Sequence, residues 1–312
     1  MAEQRFLIYQ PTHGLGVELF LLNTAFTIAA TLDRTLIIPP MPDLETTNYR
    51  CGLDHYFALD TDLPWISTPE FLARYGSGID AAFKVIPEYR EEYTSPVIRT
   101  LHPVWTDCIE NLTGFKQMRF DVRRVVPVHV SRRMTRGEIA TAFACAEPVI
   151  ALSFINGILD ETTRLDEPPI GISIPHVPTR IREPYISMAR SFIGTNGVAA
   201  LHWRRQYNIK KMAKFLENGK LPTAKEMMDN VPSAAQQLLV ASDTRIDALR
   251  RFATHKQLRR FRHQDPQVNA VVDMALCANA EWFIGTYAST FSFYVAYMRS
   301  ALGAEPASTV LL

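Results

Sequence analysis

Two adjacent arginines in the run His202-Trp203-Arg204-Arg205 are the side chains best suited to hold an anion, because they directly follow the apolar run Val198 to Leu201. Guanidinium forks at the end of a strand can grip a diphosphate through paired, charge-assisted hydrogen bonds that lysine cannot reproduce. Without a ligand the same residues would make a surface salt bridge and a packed histidine. A second stretch, Phe283-Ile284-Gly285-Thr286-Tyr287-Ala288-Ser289-Thr290-Phe291-Ser292, reads as a strand, a small-residue turn and hydroxyls opening a long apolar helix. The free N–H groups and positive dipole end of such a helix bind phosphate oxygens; ordinary N-capping by Ser289 or Thr290 is the alternative.

A third stretch, His13-Gly14-Leu15-Gly16-Val17-Glu18, follows an apolar strand and precedes a helix. Its glycines allow a sharp turn and close approach of the backbone to a ligand, although a plain strand-to-helix turn would use them equally well. The dinucleotide fingerprint requires a further glycine where Leu19 stands, so NAD binding is disfavoured. Asp60-Thr61-Asp62, after Tyr56 to Leu59, could hold a divalent metal on a nucleotide diphosphate, or could be a solvated turn before Pro64.

The elements needed to position these groups follow an α/β rhythm. Phe6 to Gln10 is a strand, Glu18 to Leu32 a helix and Thr35 to Ile38 a strand, which together imply a parallel pair with a right-handed crossover. Residues 41 to about 130 offer few clean periodic runs. Helical character returns from Arg136 to Ala146, and a strand over Val149 to Ser153 is expected to close the first domain. Pro168, Pro169, Pro175, Pro178 and Pro184 mark a linker, giving an N-terminal domain over 1–175 and a C-terminal domain over 176–312. In the second domain, helices are expected at Pro184 to Ile193, Arg245 to Thr254 and Val268 to Asn279, and from Ser289 onward. Strands are expected at Val198 to His202, Gln237 to Ser242 and Glu281 to Gly285.

Composition narrows the function classes. The 33 Lys and Arg residues nearly cancel 32 Asp and Glu, so no global basic field exists for nucleic acid or an anionic membrane. The basic run Arg250, Arg251, Lys256, Arg259, Arg260 and Arg262 lacks interleaved aromatic residues and is expected to be a solvated helix face. Cys51, Cys108, Cys145 and Cys277 are scattered, which argues against a zinc site and a disulfide framework. The Asn111-Leu112-Thr113 sequon is taken as chance, and Met227, Met228, Met274 and Met298 are expected to be core. Without a membrane span or secretory signal the chain is expected to be soluble and cytoplasmic, or else a luminal domain trimmed of its signal.

Taken together, Gly14-Leu15-Gly16, the run Asp33 to Pro40, His202-Trp203-Arg204-Arg205, Val240 to Asp243 and Asp273 through Ser292 resemble the fucosyltransferase superfamily. That group contains the protein O-fucosyltransferases, the α1,6-fucosyltransferases and the nodulation-factor fucosyltransferases. The resemblance implies a GT-B fold of two Rossmann-like domains facing each other across a cleft. It also implies inverting transfer of a sugar, L-fucose first, from a GDP-sugar to a glycan or protein hydroxyl, with neither cofactor nor metal. Carried over by position, Arg204 holds the β-phosphate and assists its departure, and Arg205 supports it. His202 lies against the nucleoside, Gly14 and Gly16 border the donor, and Ser289, Thr290 and Phe291 line the diphosphate and base pocket. Asp243 or Asp273 would fix the guanine. His13 and Glu18 are the candidate bases, with His13 preferred because some protein O-fucosyltransferases carry a Glu there.

Departures from the family pattern are Val17, where many members have Asn, and Gln206-Tyr207 after the arginines. They bear on acceptor handling and on the choice of sugar. The competing readings are a metal-dependent GT-A-type transferase using Asp60 and Asp62, and a catalytically inactive nucleotide-sugar or glycan-binding module.

Overall fold

Phe6-Leu7-Ile8-Tyr9 is apolar at every position, as suits a strand covered on both faces of a parallel sheet, and all four residues are buried in β1 (Phe6–Tyr9). The computed structural model describes residues 4–11, 14–42, 49–87, 121–153, 155, 158, 179–194, 197–203, 221–242, 247–253, 256–287 and 289–312. These form two compact units, the first running to Arg180 and the second starting at Ile181. The expected boundary after residue 175 lies outside the described residues.

In the first unit, β1 leads through Gly14 into α1 (Leu15–Thr31) and then into β2 (Thr35–Ile38). The helix begins earlier than the expected Glu18, because Gly14 turns the chain at φ 100° and its carbonyl accepts the Glu18 amide. α1 is buried on almost every side, so its polar residues need internal partners. Asn23, Thr24, Thr27 and Thr31 each donate to a carbonyl four residues earlier.

The chain continues through β3 (Trp65–Ser67), α2 (Thr68–Tyr75), β4 (Ala81–Pro87), β5 (Val125–Val130), α3 (Arg136–Ala142) and β6 (Val149–Leu152). The six strands form one sheet of order β5-β4-β6-β1-β2-β3, parallel throughout. Although β6 comes last in the chain, it lies inside the sheet beside β1. Arg34 secures this join. Its buried guanidinium donates to the carbonyls of Phe6, Cys145, Glu147 and Pro148, tying the start of β2 to the starts of β1 and β6.

The second unit contains α4 (Glu183–Ile193), β7 (Val198–Trp203), α5 (Ala224–Asp229), β8 (Gln237–Ser242), β9 (Gln257–Arg259), α6 (Pro266–Asn279), β10 (Trp282–Gly285), α7 (Thr290–Ala301) and β11 (Thr309–Leu311). Its sheet, of order β9-β8-β7-β10-β11, is also parallel. Leu201, Trp203, Leu238, Val240 and Ile284 pack with Met227, Met228 and Leu249 on one face. Met274 and Met298 are buried as well, so all four methionines are core residues.

Two expected helices are shorter than their sequence windows. The helix from Arg136 stops at Ala142, and of the Arg245 to Thr254 window only Asp247–Arg250 is helical among described residues. The basic run is a solvated face only in part: Arg250, on the short helix, and Arg251 and Arg262 are exposed. Arg250 pairs with Asp247, Lys256 donates to the Pro232 and Ala235 carbonyls, Arg259 covers the Phe192 ring at 4.2 Å, and Arg260 donates to the Ser242 carbonyl. Lys256, Arg259 and Arg260, half of the run, therefore hold the fold together. Cys51, Cys145 and Cys277 are free thiols, and burial pushes the Cys277 thiol well above its ordinary pKa. No helix among the described residues is long and apolar enough to cross a membrane.

Replacing Arg34 by Met keeps much of the volume but leaves several buried carbonyls without their donor. Urea unfolding of Arg34→Met is expected to show a loss of roughly 2–4 kcal/mol; a loss within experimental error would show that the guanidinium does not tie the strands.

Candidate functional site

Strand order marks the candidate ligand-binding edge of the second unit. From β7 the chain moves outward through β8 and β9, then returns to the other side of β7 with β10 and β11. The carboxyl ends of β7 and β10 thus flank a topological switch point, where open α/β sheets bind ligands in the crevice that the diverging connections leave. Both anion-suited stretches of this half leave the sheet there. Of the first, His202 and Trp203 are described, whereas Arg204 and Arg205 lie outside the described residues, as do Asp243 and, in the other unit, His13.

The turn after β10 is fixed by the end of β7. The backbone N–H and the hydroxyl of Thr286 both donate to the His202 carbonyl, each at 3.1 Å. Ser289 N–H donates to the Thr286 carbonyl at 3.1 Å, and α7 then begins at Thr290. Ser289 occupies the N-cap position but its hydroxyl makes no capping bond, so the ordinary-capping alternative does not describe this helix. Among the described residues, no side-chain cap from Ser289 satisfies the first amides of α7, whose N-cap residue is buried. That is the arrangement suited to an anion.

His202 is buried rather than laid open. Its Nδ1 shares a 2.7 Å hydrogen bond with Ser292 Oγ, and its ring lies 4.4 Å from the ring of Phe291, centroid to centroid, at 31°. The imidazole therefore orients the first turn of α7. Gly285 is required here by proximity: a Cβ would fall 2.7 Å from Leu311 Cδ2 and 2.8 Å from Ser292 Oγ.

Asp273 approaches the same sheet edge from α6. It is buried, Asn269 donates to its Oδ2 at 3.0 Å, and burial raises its pKa to about 7 against the opposing effects of Arg260 and Asn269. Arg260 donates to the Ser242 carbonyl, and Ser242 Oγ donates to the Trp203 carbonyl at 2.6 Å. Arg260 and Ser242 were not among the residues expected in the site. Their signal was weak: a serine ending a strand and one arginine in a basic run.

In the first unit, Gly14 supplies the positive-φ turn, but no atom lies within 4 Å of where its Cβ would be, so backbone conformation rather than close approach requires glycine. Gly16 is buried in the first turn of α1. Glu18 is only 1% exposed, and its charge, after burial itself, is the main influence raising the Tyr9 pKa, with Asp54 contributing less. Its carboxylate lies in the interior near Tyr9. Asp60 and Asp62 sit in an exposed turn after Phe57–Leu59, and Asp60 lies 3.5 Å from Arg180. Among the described residues no three His, Cys, Asp or Glu side chains gather as a metal site.

The fold is shared across the whole chain with known structures. The crystal structure of POFUT1 in complex with GDP-fucose matches with a TM-score of 0.64 at 15% identity, covering 100% of this chain and 98% of that one. A POFUT1 complex with GDP matches with a TM-score of 0.66 at 15% identity, over 100% and 99%. The fucosyltransferase NodZ from Bradyrhizobium matches with a TM-score of 0.52 at 13% identity, over 94% and 93%. No protein-family model matches the chain, and no curated protein matches it by sequence. The parallel-sheet α/β architecture is thus that of GT-B fucosyltransferase structures.

Two outcomes check this geometry. Gly285→Ala is expected to cost about 1–3 kcal/mol in chemical denaturation, because Leu311 and Ser292 must move; a neutral effect would contradict the tight join. Between about pH 4 and pH 7 the folded protein holds a proton on Asp273 that the unfolded chain has released. Stability from this group is therefore greatest at the acid end and falls by about 1.4 kcal/mol per pH unit as pH rises through that window. Asp273→Asn should remove this slope, and an unaltered pH profile would refute the assignment.

Proposed function

We propose that this chain is a glycosyltransferase that takes its sugar from a GDP-sugar, with GDP-fucose the first candidate, and passes it to a hydroxyl of a glycan or protein. The observation that carries the reading is the start of α7, uncapped by Ser289, beside the end of β7 at the switch point, in a fold shared with POFUT1 over 100% of the chain and with NodZ over 94% of it. POFUT1 is described in complex with GDP-fucose, and in this chain Arg204 and Arg205 directly follow β7 in sequence.

The chemistry required of such a site is modest. Breaking the C1–O bond to GDP leaves charge on the β-phosphate, and the Arg204 guanidinium with the first amides of α7 would stabilise that charge as it develops. Arg205 supports this grip. In this reading the donors replace a metal ion, and neither metal nor cofactor takes part. The acceptor oxygen attacks C1 from the face opposite GDP, which inverts the configuration. His13, or Glu18 in its place, takes the hydroxyl proton. Asp243 or Asp273 holds the guanine, while His202 sets Phe291 and Ser292 in place rather than meeting the nucleoside itself.

Calorimetric titration with GDP and GDP-fucose, in the presence of EDTA, tests the reading. The unaltered protein is expected to bind both. Arg204→Ala should weaken binding about 10- to 100-fold, the worth of a charged hydrogen-bonding group. Absence of binding, or binding that needs added manganese, would overturn it and turn attention to Asp60 and Asp62.

A further inference from the structure

The turn that begins the candidate donor site is held on two sides. One side is the His202 carbonyl, which accepts both donors of Thr286. On the other, Leu312 N–H donates to the Gly285 carbonyl at 3.0 Å, and the Leu312 carbonyl accepts Tyr287 N–H at 2.5 Å. Those bonds bracket the turn between Gly285 and Tyr287. They depend on where β11 lies, because Leu312 directly follows that strand and Leu311 is the residue paired with Gly285.

β11 is a poor anchor by itself. It has three residues, stands at the sheet edge, is half-buried and, among the described residues, pairs only with β10. What fixes its start is Arg299 of α7, which is 2% exposed. Arg299 Nε donates to Thr309 Oγ1 at 2.8 Å, and Nη2 donates to Ser308 Oγ at 2.7 Å and to the Glu281 carbonyl at 3.0 Å. Nη1 meets the carbonyls of Cys277, Ala278 and Ala280 at the end of α6. One planar group thus joins the exit of α6, the entry to β10 and the entry to β11, which its fixed fork of five donors suits.

We infer that Arg299 is a positioning residue for donor binding, acting through β11 and Leu312 on the backbone of the Gly285–Ser289 turn. This rests on the proposed GDP-sugar site but adds a residue well removed from the nucleotide-binding residues proposed above. A guanidinium at this junction sets the direction in which the α7 amides point, and a sub-ångström shift there changes the fit to phosphate oxygens.

Two variants test the inference. Arg299→Met removes the whole clamp; Thr309→Val removes one acceptor while keeping a β-branched residue suited to a strand, and remains informative if the first does not fold. For each, GDP affinity is measured by calorimetry and amide hydrogen exchange is followed in the peptide spanning residues 283–292. The expected result is faster exchange in that peptide together with GDP binding weakened about 2- to 30-fold, the range of substitutions that act on a site without touching its ligand. Thr309→Lys should fail in the same direction, and Thr309→Ser, which restores a hydroxyl, should recover the affinity lost in Thr309→Val. Unchanged exchange, or faster exchange with unchanged GDP affinity, overturns the role of Arg299 while leaving the GDP site standing. No GDP binding by the unaltered protein overturns both.

Discussion

The hydrogen bonds from Thr286 to the His202 carbonyl are the constraint on which the second unit's site depends. They join the ends of β7 and β10, the two strands from which the chain departs in opposite directions. A parallel sheet must leave a crevice at such a reversal, and its edge carbonyls must find partners as the strands end. Here one carbonyl takes two donors from a single residue, so the following turn has little freedom. The uncapped start of α7, the buried His202–Ser292 pair and the fit of Gly285 against Leu311 all follow from that closure.

Buried arginines play a matching part in both units. Arg34 collects carbonyls where β1, β2 and β6 begin, and Arg299 collects them where α6 ends and β10 and β11 begin. Parallel sheets with helical crossovers bring many chain ends to one edge, and each end exposes carbonyls that water cannot reach. A planar five-donor group satisfies several at once, which a lysine could not do. Both arginines face the amino-terminal edge of their sheet, away from the proposed ligand.

Much of this was legible in the sequence, for physical reasons that can be named. Strands covered on both faces read as unbroken apolar runs, so Phe6 to Tyr9, Val198 to Leu201, Gln237 to Ser242 and Trp282 to Gly285 stood out, and the polar residues just after them marked the sheet edge. The region from residue 41 was opaque because its elements are short and proline-punctuated: β3 has three residues, and Pro127 lies within β5. Such segments owe their structure to the strands beside them, not to local periodicity. Strand order was equally hidden, since nothing local to Val149–Leu152 places it beside β1. The burial of Glu18 was invisible too. A carboxylate in the first turn of a helix commonly faces solvent, and only the packing of α1 on nearly all sides turns it inward.

A crystal structure of the protein grown with GDP-fucose bears most directly on the central claim. The account predicts the diphosphate at the switch point of the second sheet, within hydrogen-bonding distance of the first amides of α7 and of the Arg204 guanidinium. A nucleotide bound elsewhere, or held through a metal at Asp60 and Asp62, would contradict it.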